Sequence, residues 1–351
     1  SPNNVNGVNG SIDNIFSNSF SNETTLNYKK TFKKDHTITG LGLFAVNSIN
    51  SNRKAYGGRL LPNENLGMDG LDEGLAYNQI SNSSRNTMAS YAGRLDYNYK
   101  SKYIVTGTFR ADGSSKFINH WGYFPGAALA WNMHKEGFFT KIFPGISTSK
   151  LRTSYGSNGN NRVGDFDTYA RLVQNINGYS FNNSTPIASN YVSAVGNPDL
   201  QWEKVNTIDL GYEIGVLKDR ITFEVDLYRK TTEDLLLNAI LPPSTGFTSA
   251  VKNIGKLRND GLELTLNTVN VQSKNFIWES NFNISFNRNK VMELTRGQRS
   301  LNSNSEYVSQ FNKPLYVAEV GKPAGMMIGF IWEGNYQYED FDNPSPGVYI
   351  L

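Results

Sequence analysis

Few side chains in this sequence have the types and spacing that catalysis needs. The three histidines, His36, His120 and His134, are far apart, and none has a nucleophile or carboxylate at catalytic spacing. Each is more typical of a polar residue in a turn or loop. The sequence has no cysteine, which excludes thiol catalysis, zinc–thiolate sites and disulfide bonds. We therefore predict that the chain is not an enzyme and has no catalytic residue and no cofactor.

Two acidic motifs and one glycine motif have residues that ion sites use. Asp165-Phe166-Asp167 and Asp340-Phe341-Asp342 offer carboxylate oxygens, but neither begins the loop of alternating ligands that calcium usually requires. Gly156-Ser157-Asn158-Gly159 lacks the lysine and the strand-to-helix context of a phosphate-binding loop. We expect solvated acids, a loop start and no metal site. The net charge of +3 without a basic run also gives no reason to expect nucleic acid as a partner.

Aromatic side chains in segments rich in Asn, Gly and Ser are the remaining candidates. Rings can stack on sugar faces or pack against a partner protein, while Asn and Ser supply adaptable hydrogen bonds. Ordinary packing within the loops explains the same rings equally well. The candidate substrate or lid contacts are Tyr169, Tyr179, Phe181, Tyr191 and Phe247.

The stretch from Leu200 to Lys230 shows which elements position these residues. It reads as two long strands joined by the turn Leu217 to Arg220, each with an apolar and a charged face. The apolar residues are Ile208, Leu210, Tyr212 and Ile214 in the first strand, and Ile221, Phe223, Val225 and Leu227 in the second. Each strand has about ten residues or more, which is close to the length that a tilted strand needs to cross a bilayer. No apolar run approaches the roughly eighteen residues of a spanning helix.

The same alternation recurs along the chain and predicts about twelve strands. Besides the central pair, they are expected at residues 24–32, 37–46, 87–99, 102–111, 121–132, 150–155, 256–267, 276–286, 315–320 and 326–332. Short helical segments are expected at residues 135–146 and 290–294. Leu210, Phe223, Leu264 and Phe282 should face lipid, and Asp209, Glu224, Glu263 and Asn283 should face the lumen.

The connections between these strands alternate between short and long. Long loops are predicted at Asn47 to Arg85, Gly156 to Asp199 and Thr231 to Gly255. An up-and-down membrane barrel has short periplasmic turns and long extracellular loops. Because strands reverse direction at each connection, loops separated by an even number of strands emerge on the same side. We therefore expect these three loops on the extracellular side, where they form a capture and docking surface.

A series of motifs resembles the barrel of the SusC/RagA family of TonB-dependent outer-membrane transporters. The resemblance runs from about Arg85 to Tyr338, and its motifs occur in the order in which the family has them. They are Tyr103 to Phe117, Trp121 to Pro125, Leu151 to Gly156, Asn197 to Glu203, Tyr228 to Leu235, Ser244 to Phe247, Asn253 to Lys256, Asn259 to Leu264 and Phe282 to Lys290.

The resemblance implies an all-β fold, a transmembrane antiparallel barrel of 22 strands with an amino-terminal plug inside it. Neither the plug nor the family's energy-coupling box is found in the sequence, and the final strands are expected beyond Leu351. Residues 1–351 are thus expected to be one incomplete barrel domain. Such a piece should not form a pore alone, because unpaired strand edges in hydrocarbon cost several kcal/mol each.

The function implied is active import of oligosaccharides or peptides across the outer membrane of a Gram-negative, Bacteroidetes-like bacterium. Implied partners are a SusD-like surface lipoprotein that closes over the loops, the TonB complex acting through the plug, outer-membrane lipid and the substrate itself. Two alternatives stay open on the residues alone. A passive porin shows the same strand pattern without a plug, and a soluble carbohydrate-binding β-protein is the less favoured alternative.

Overall fold

Ten strands form one antiparallel sheet in which each strand pairs with the next along the chain, apart from two inserted hairpins. A computed structural model describes residues 7–180, 187–295, 298–302, 307–308, 313–329, 331–332, 334–335, 342–345 and 348–350. The sheet comprises β1 (Asn9–Phe32), β2 (His36–Arg59), β3 (Leu75–Tyr99), β4 (Tyr103–Ser114), β5 (Trp121–Asn132), β6 (Ile146–Asn160), β9 (Glu203–Val216), β10 (Ile221–Glu233), β13 (Lys256–Gln272) and β14 (Ile277–Glu293). This up-and-down order confirms the predicted topology.

The remaining elements are short and lie in the connections. The two inserted hairpins are β7 (Arg171–Tyr179) with β8 (Ile187–Ala194), and β11 (Leu236–Ile240) with β12 (Ser249–Asn253). Small sheets near the carboxyl end contain β15 (Ser300–Asn302), β16 (Tyr307–Val308), β17 (Lys313–Pro314), β18 (Tyr316–Glu319), β19 (Met326–Met327), β20 (Asp342–Ser345) and β21 (Val348–Ile350). Helical turns occur at Glu64–Glu73, Met133–Lys135 and Pro243–Thr245, and α1 spans Gly137–Ile142. No helix among the described residues is both long and apolar enough to cross a bilayer.

The strand register collects the apolar side chains on one face of the sheet. Rows of paired residues run across β9, β10, β13 and β14, and they are Leu210, Leu227, Leu262 and Phe286; Tyr212, Val225, Leu264 and Ile284; and Ile214, Phe223, Leu266 and Phe282. We call this side the apolar face and the other the polar face. The four residues predicted to face lipid all lie on the apolar face. Asp209, Glu224, Glu263 and Asn283 lie on the polar face by the same alternation.

Side chains on the apolar face are largely exposed in the chain itself. Leu210, Phe282 and Phe286 are 47%, 59% and 54% exposed. A soluble protein rarely leaves a contiguous apolar surface of more than a few hundred Å² uncovered. Burying each such side chain against an apolar medium gains about 1.5–3 kcal/mol, so this face is more stable against an apolar medium such as lipid than against water.

Aromatic rings line both ends of the apolar face. Near one end Tyr91 lies between Phe44 and Trp121, with ring centroids 5.0 and 6.0 Å away. Near the other end Tyr103 lies between Tyr99 and Trp131, at 6.4 and 6.3 Å. From Tyr91 to Tyr99 the strand rises about 26 Å, which matches an apolar band flanked by two interfacial girdles once the strand is tilted.

The connections alternate between the two ends of the sheet, and those at one end are mostly short whereas those at the other are mostly long; residues 133–145 and 115–120 are the exceptions. The short-turn end has residues 33–35, 100–102, 133–145, 217–220 and 273–276, and the long-loop end has residues 60–74, 115–120, 161–202 and 234–255. Lys33, Lys34, Lys100 and Ser101 have positive φ in the two tightest turns. Two successive left-handed residues match the twist of a hairpin.

Several predicted boundaries are wrong, and most errors have one cause. Residues Asn47 to Arg85 are mainly strand, because β2 continues to Arg59 and β3 begins at Leu75. The predicted loop from Gly156 likewise contains the end of β6 and the β7–β8 hairpin, and the loop from Thr231 contains β11–β12. The extensions of β2 and β3 lie past the apolar band and are rich in Asn and Ser, and β11 is short and mostly apolar, so the alternation that predicts a membrane strand is missing there.

Two further corrections concern the second half of the chain. The predicted helical segment at residues 290–294 is strand as far as Glu293, where β14 continues its pairing with β13. Of the twelve predicted strands, ten belong to the main sheet, whereas those near residues 315–320 and 326–332 form the small β15–β18–β19 sheet. The predicted connector at residues 135–146 is confirmed by α1.

Candidate functional site

A buried apolar cluster lies at the long-loop end of the polar face. It consists of Phe117, Phe124, Val163, Leu200 and Trp202, which are among the most buried side chains of the described chain. The Trp202 ring lies 5.4 Å from Phe117 and 5.6 Å from Phe124, and its Nε1 donates a hydrogen bond to the His120 carbonyl at 3.0 Å. The cluster therefore joins two long-loop connections, residues 115–120 and 161–202, to β5, and Leu236 and Val251 of the β11–β12 hairpin pack against it.

Polar contacts hold the same connections together. Lys116 Nζ donates to the Val163 carbonyl at 2.8 Å and lies 3.6 Å from Asp165. The side chain of Asn253 on β12 donates to the backbone carbonyl of Gln201 at 2.7 Å. The backbone N–H of Gln201 donates back to Asn253 Oδ1 at 2.9 Å. The β11–β12 hairpin is thereby fixed to the segment that leads into β9.

The five aromatic candidates are distributed over this end and are not brought into one site. Tyr169 precedes β7 and is 59% exposed, and Tyr191 lies on β8 and is 52% exposed. Phe247 follows the turn Pro243–Thr245 and is half-buried. Only the backbone of Tyr179 is described, and Phe181 lies outside the described residues. A role in binding stays a prediction for all five.

Residues of the apolar cluster were not predicted to be functionally important. Phe124 pairs with Arg110 across β4 and β5 and therefore lies on the polar face, where the strand pattern expects a polar residue. An apolar residue at a polar-face position is therefore the sequence signal that could have identified the cluster. The close packing of Leu200 and Trp202 is long-range in sequence and has no local pattern.

Ion pairs follow the polar face across the sheet. Arg94 contacts Asp96 at 2.9 Å, and Arg110 contacts Asp112 at 2.8 Å. Arg152 on β6 pairs with Asp226 on β10 at 2.5 Å and also with Glu224. These pairs give the polar face fixed charge and hydrogen-bonding capacity.

Gly211 explains how Arg152 reaches a strand that is not its neighbour. The register places Gly211 of β9 between Arg152 of β6 and Asp226 of β10. A Cβ atom at position 211 would overlap both side chains. Glycine thus leaves the space through which the guanidinium crosses β9.

The extension of β1 and β2 past the apolar band carries its own ion pair. Arg53 on β2 donates to Asp13 on β1 at 2.6 Å. This hydrogen bond, supported by the charge of Arg53, lowers the pKa of the Asp13 carboxyl from its ordinary value. The pair is solvent-exposed and links the two strands in this extension.

The other motifs considered for ion binding have ordinary contacts. Asp167 accepts a hydrogen bond from the Gly164 amide at 2.7 Å, which closes a loop turn. Asp165 accepts from Asn86, and the Asp340 motif lies mostly outside the described residues. Within the described ranges no group of three or more possible ligands is placed to hold a metal ion.

Comparison with known proteins agrees with this architecture. Residues 1–347 match the family model described as "TonB dependent receptor-like, beta-barrel". Among similar proteins, the TonB-dependent receptor P39 of Formosa agariphila is 33% identical over 348 residues, covering 93% of this chain and 30% of that protein. The TonB-dependent receptor SusC of Bacteroides thetaiotaomicron is 33% identical over 268 residues, covering 74% of this chain and 26% of that protein.

A solved structure has the same arrangement of strands. The structure of the RagAB peptide transporter superposes with a TM-score of 0.73 at 23% identity, covering 90% of this chain and 34% of the matched chain. At that identity the similarity concerns the fold. The chain spans less than a third of the length of the two curated relatives named above.

Proposed function

This chain belongs to the TonB-dependent receptor β-barrel family, and from that premise we propose that the whole protein actively imports oligosaccharides or peptides across the outer membrane. Energy for the import comes from the TonB complex through a plug domain. Residues 1–351 form one domain that contributes part of the barrel wall. The protein makes and breaks no covalent bond in its substrate.

The observation that carries this proposal is the division of the ten-stranded sheet into an apolar and a polar face. The apolar face, bounded by its two aromatic bands, fits the hydrocarbon of a bilayer. The polar face, with Arg94, Arg110 and Arg152 in ion pairs, lines the path of the solute. Family membership sets aside the alternative of a soluble β-protein.

Capture of the substrate takes place at the long-loop end, which faces the outside of the cell. A surface lipoprotein of the SusD kind closes over these loops. Tyr169, Tyr179, Phe181, Tyr191 and Phe247 contact the substrate or this lid. Support comes from the exposure of Tyr169 and Tyr191 and from the apolar cluster around Trp202, which holds the loops in a defined position.

Uptake of labelled oligosaccharides and peptides by cells with the full-length protein tests the proposal. Replacing residues 171–194 by a short Gly-Ser linker is a precise perturbation, because Arg171 and Ala194 are paired and the chain ends stay close. We expect uptake to be lost and the barrel to assemble. The matched control inserts the same linker in the opposite turn, at Lys274, and should keep uptake.

The same experiment separates active import from a passive porin. Active import requires a functional TonB complex, whereas diffusion through a porin does not. Equal uptake in cells with and without TonB would contradict the proposal and favour the porin.

The orientation of the barrel is tested by cysteine labelling. Ser249→Cys on β12 should react with a membrane-impermeant reagent in intact cells, and Lys274→Cys should react only after the outer membrane is opened. Both residues are exposed. The reverse result would show that the long-loop end faces the periplasm.

A further inference from the structure

The apolar face ends abruptly in charged residues on β10, β13 and β14. The row of Leu227, Leu262 and Phe286 is the last apolar row toward the long-loop end. The next alternate row on the same face holds Arg229, Asp260 and Arg288, and the row after that holds Thr231, Arg258 and Lys290. These two rows thus hold four cations and one carboxylate, Asp260, on three adjacent strands. We call Arg229, Arg258, Arg288 and Lys290 the cationic patch.

Asp260 organises part of this patch and leaves the rest available. Its carboxylate accepts from Arg229 Nε at 2.6 Å and lies 3.0 Å from Arg258 Nε. Arg288 and Lys290 are exposed, and neither forms an ion pair with any residue that the structure describes. The patch carries a formal excess of three positive charges. Because adjacent strands lie about 4.8 Å apart, these charges fall within roughly 10 Å across the sheet.

The patch lies in one part of the ten-stranded sheet. Toward the same end, the apolar face on β2, β3 and β5 carries the ring of Tyr91 between those of Phe44 and Trp121. Rings are the usual residues where a barrel meets the membrane interface. On β10, β13 and β14 four cations lie where such rings are usual, and their charge is stabilised by negative charge in the surroundings.

The position of the patch identifies that source. It lies on the outward side of strands, directly beyond the last apolar row, and so at the depth of the lipid head groups. In the orientation given under the proposed function, the cationic patch lies in the outer leaflet. The phosphorylated glycolipid of that leaflet presents anionic phosphates at this depth. Guanidinium groups bind phosphate oxygens through paired hydrogen bonds.

We propose that the cationic patch is a binding site for the phosphate groups of an outer-leaflet glycolipid, held by Arg288 and Lys290 with Arg229 and Arg258 beside them. The acyl chains of the same lipid lie against Leu227, Leu262 and Phe286. A soluble anion gains only the charge interaction, whereas the lipid gains both contacts. A bound lipid thereby anchors the barrel at a fixed depth beside the strands that carry the β11–β12 hairpin.

Native mass spectrometry of the purified full-length protein with lipid A tests the site. The test variant is Arg288→Glu with Lys290→Glu, two exposed residues whose reversal leaves the ion pairs of Asp260 in place. The matched control is Lys30→Glu with Lys54→Glu, which makes the same charge change on two exposed residues of the same outward side in β1 and β2. Lipid A without phosphates and inorganic phosphate are the comparison ligands.

The wild-type protein and the control should retain phosphorylated lipid A, and the test variant should bind it at least about tenfold more weakly, since each charge-assisted hydrogen bond contributes about a tenfold effect or more. Dephosphorylated lipid A should bind more weakly to the wild-type protein. Three results would overturn the site. The test variant could bind phosphorylated lipid A as tightly as the wild-type protein does, or the wild-type protein could bind both forms of lipid A equally. The test variant could also keep the lipid and lose a co-purifying protein instead. Since the assay measures binding without uptake, its failure leaves the transport proposal untouched.

Discussion

Replacing Trp202 by alanine should release the long loops from the barrel wall. Trp202 is 5% exposed and packs against Phe117 and Phe124, which are 1% and 4% exposed. Removing a buried Trp side chain costs about 3–5 kcal/mol. The cluster lies near water at the long-loop end, so we expect the lower value of about 3 kcal/mol. Since 1.4 kcal/mol is a factor of ten, the docking equilibrium of the loops should shift by about 100-fold.

Hydrogen exchange of the full-length protein measures this shift. Amides of residues 115–120 and 161–170 should exchange about 100-fold faster in Trp202→Ala, because both segments contact the cluster. Amides in β13 should be unchanged. Trp202→Phe should give a smaller effect, since it keeps most of the ring packing and loses the hydrogen bond to the His120 carbonyl, worth about 0.5–1.5 kcal/mol.

The control for this series is Trp278→Ala on β14, where the side chain is 55% exposed on the apolar face. It removes the same side chain without touching the cluster, so the loops should keep their protection. If Trp202→Ala and Trp278→Ala change exchange at residues 161–170 equally, the cluster does not hold the loops and our reasoning is refuted.

Two further predictions concern the polar wall and the short-turn end. Gly211→Ala should displace Arg152 from Asp226 and lower the unfolding free energy of the full-length protein by about 1–3 kcal/mol, measured by urea unfolding. The control is Gly93→Ala, which has open space at its Cβ position and should not lower the stability. Equal urea midpoints for the two variants would contradict this prediction. A hydrogen bond from Lys102, followed by one from Tyr103, lowers the pKa of Glu136. The resulting stabilisation of residues 133–145 is present at neutral pH and lost as the pH falls through the lowered value. Glu136→Gln should remove this acid-induced loosening in hydrogen exchange, and an unchanged pH profile would show that another group is responsible.

The membrane-spanning part of the fold could be predicted from the sequence, because a bilayer imposes a simple pattern. One side of each strand must be apolar and the other polar over about ten residues. Trp121–Asn132 was predicted with its observed bounds, and the central pair was predicted with the correct turn. The resemblance of ordered motifs then identified the family, which alternation alone does not do.

The sequence did not predict the strand segments that extend beyond the membrane-spanning part of the sheet. The outer halves of β1 and β2 are rich in Asn and Ser on both sides and read as loop, although they pair continuously from Asn9 with Arg59. Their partner strand supplies the hydrogen bonds, and that pairing is long-range. The apolar cluster was not predicted for the same reason, because Phe117 and Trp202 lie in different connections of the sheet and meet only when both have folded.

The most direct test of the account compares arginine at two adjacent positions of β13. Leu264 lies in the middle row of the apolar face, and Glu263 is its neighbour on the polar face. In the full-length protein in outer membranes, Leu264→Arg should lower the unfolding free energy by roughly 2–4 kcal/mol, because it places a charge in the bilayer midplane. Glu263→Arg should be tolerated, since it faces the water-filled side and relieves the repulsion with Asp226 opposite it. Urea unfolding, followed by the heat-modifiable mobility of the barrel, measures both. Equal losses at the two positions would contradict the assignment of one face to lipid and the other to the lumen.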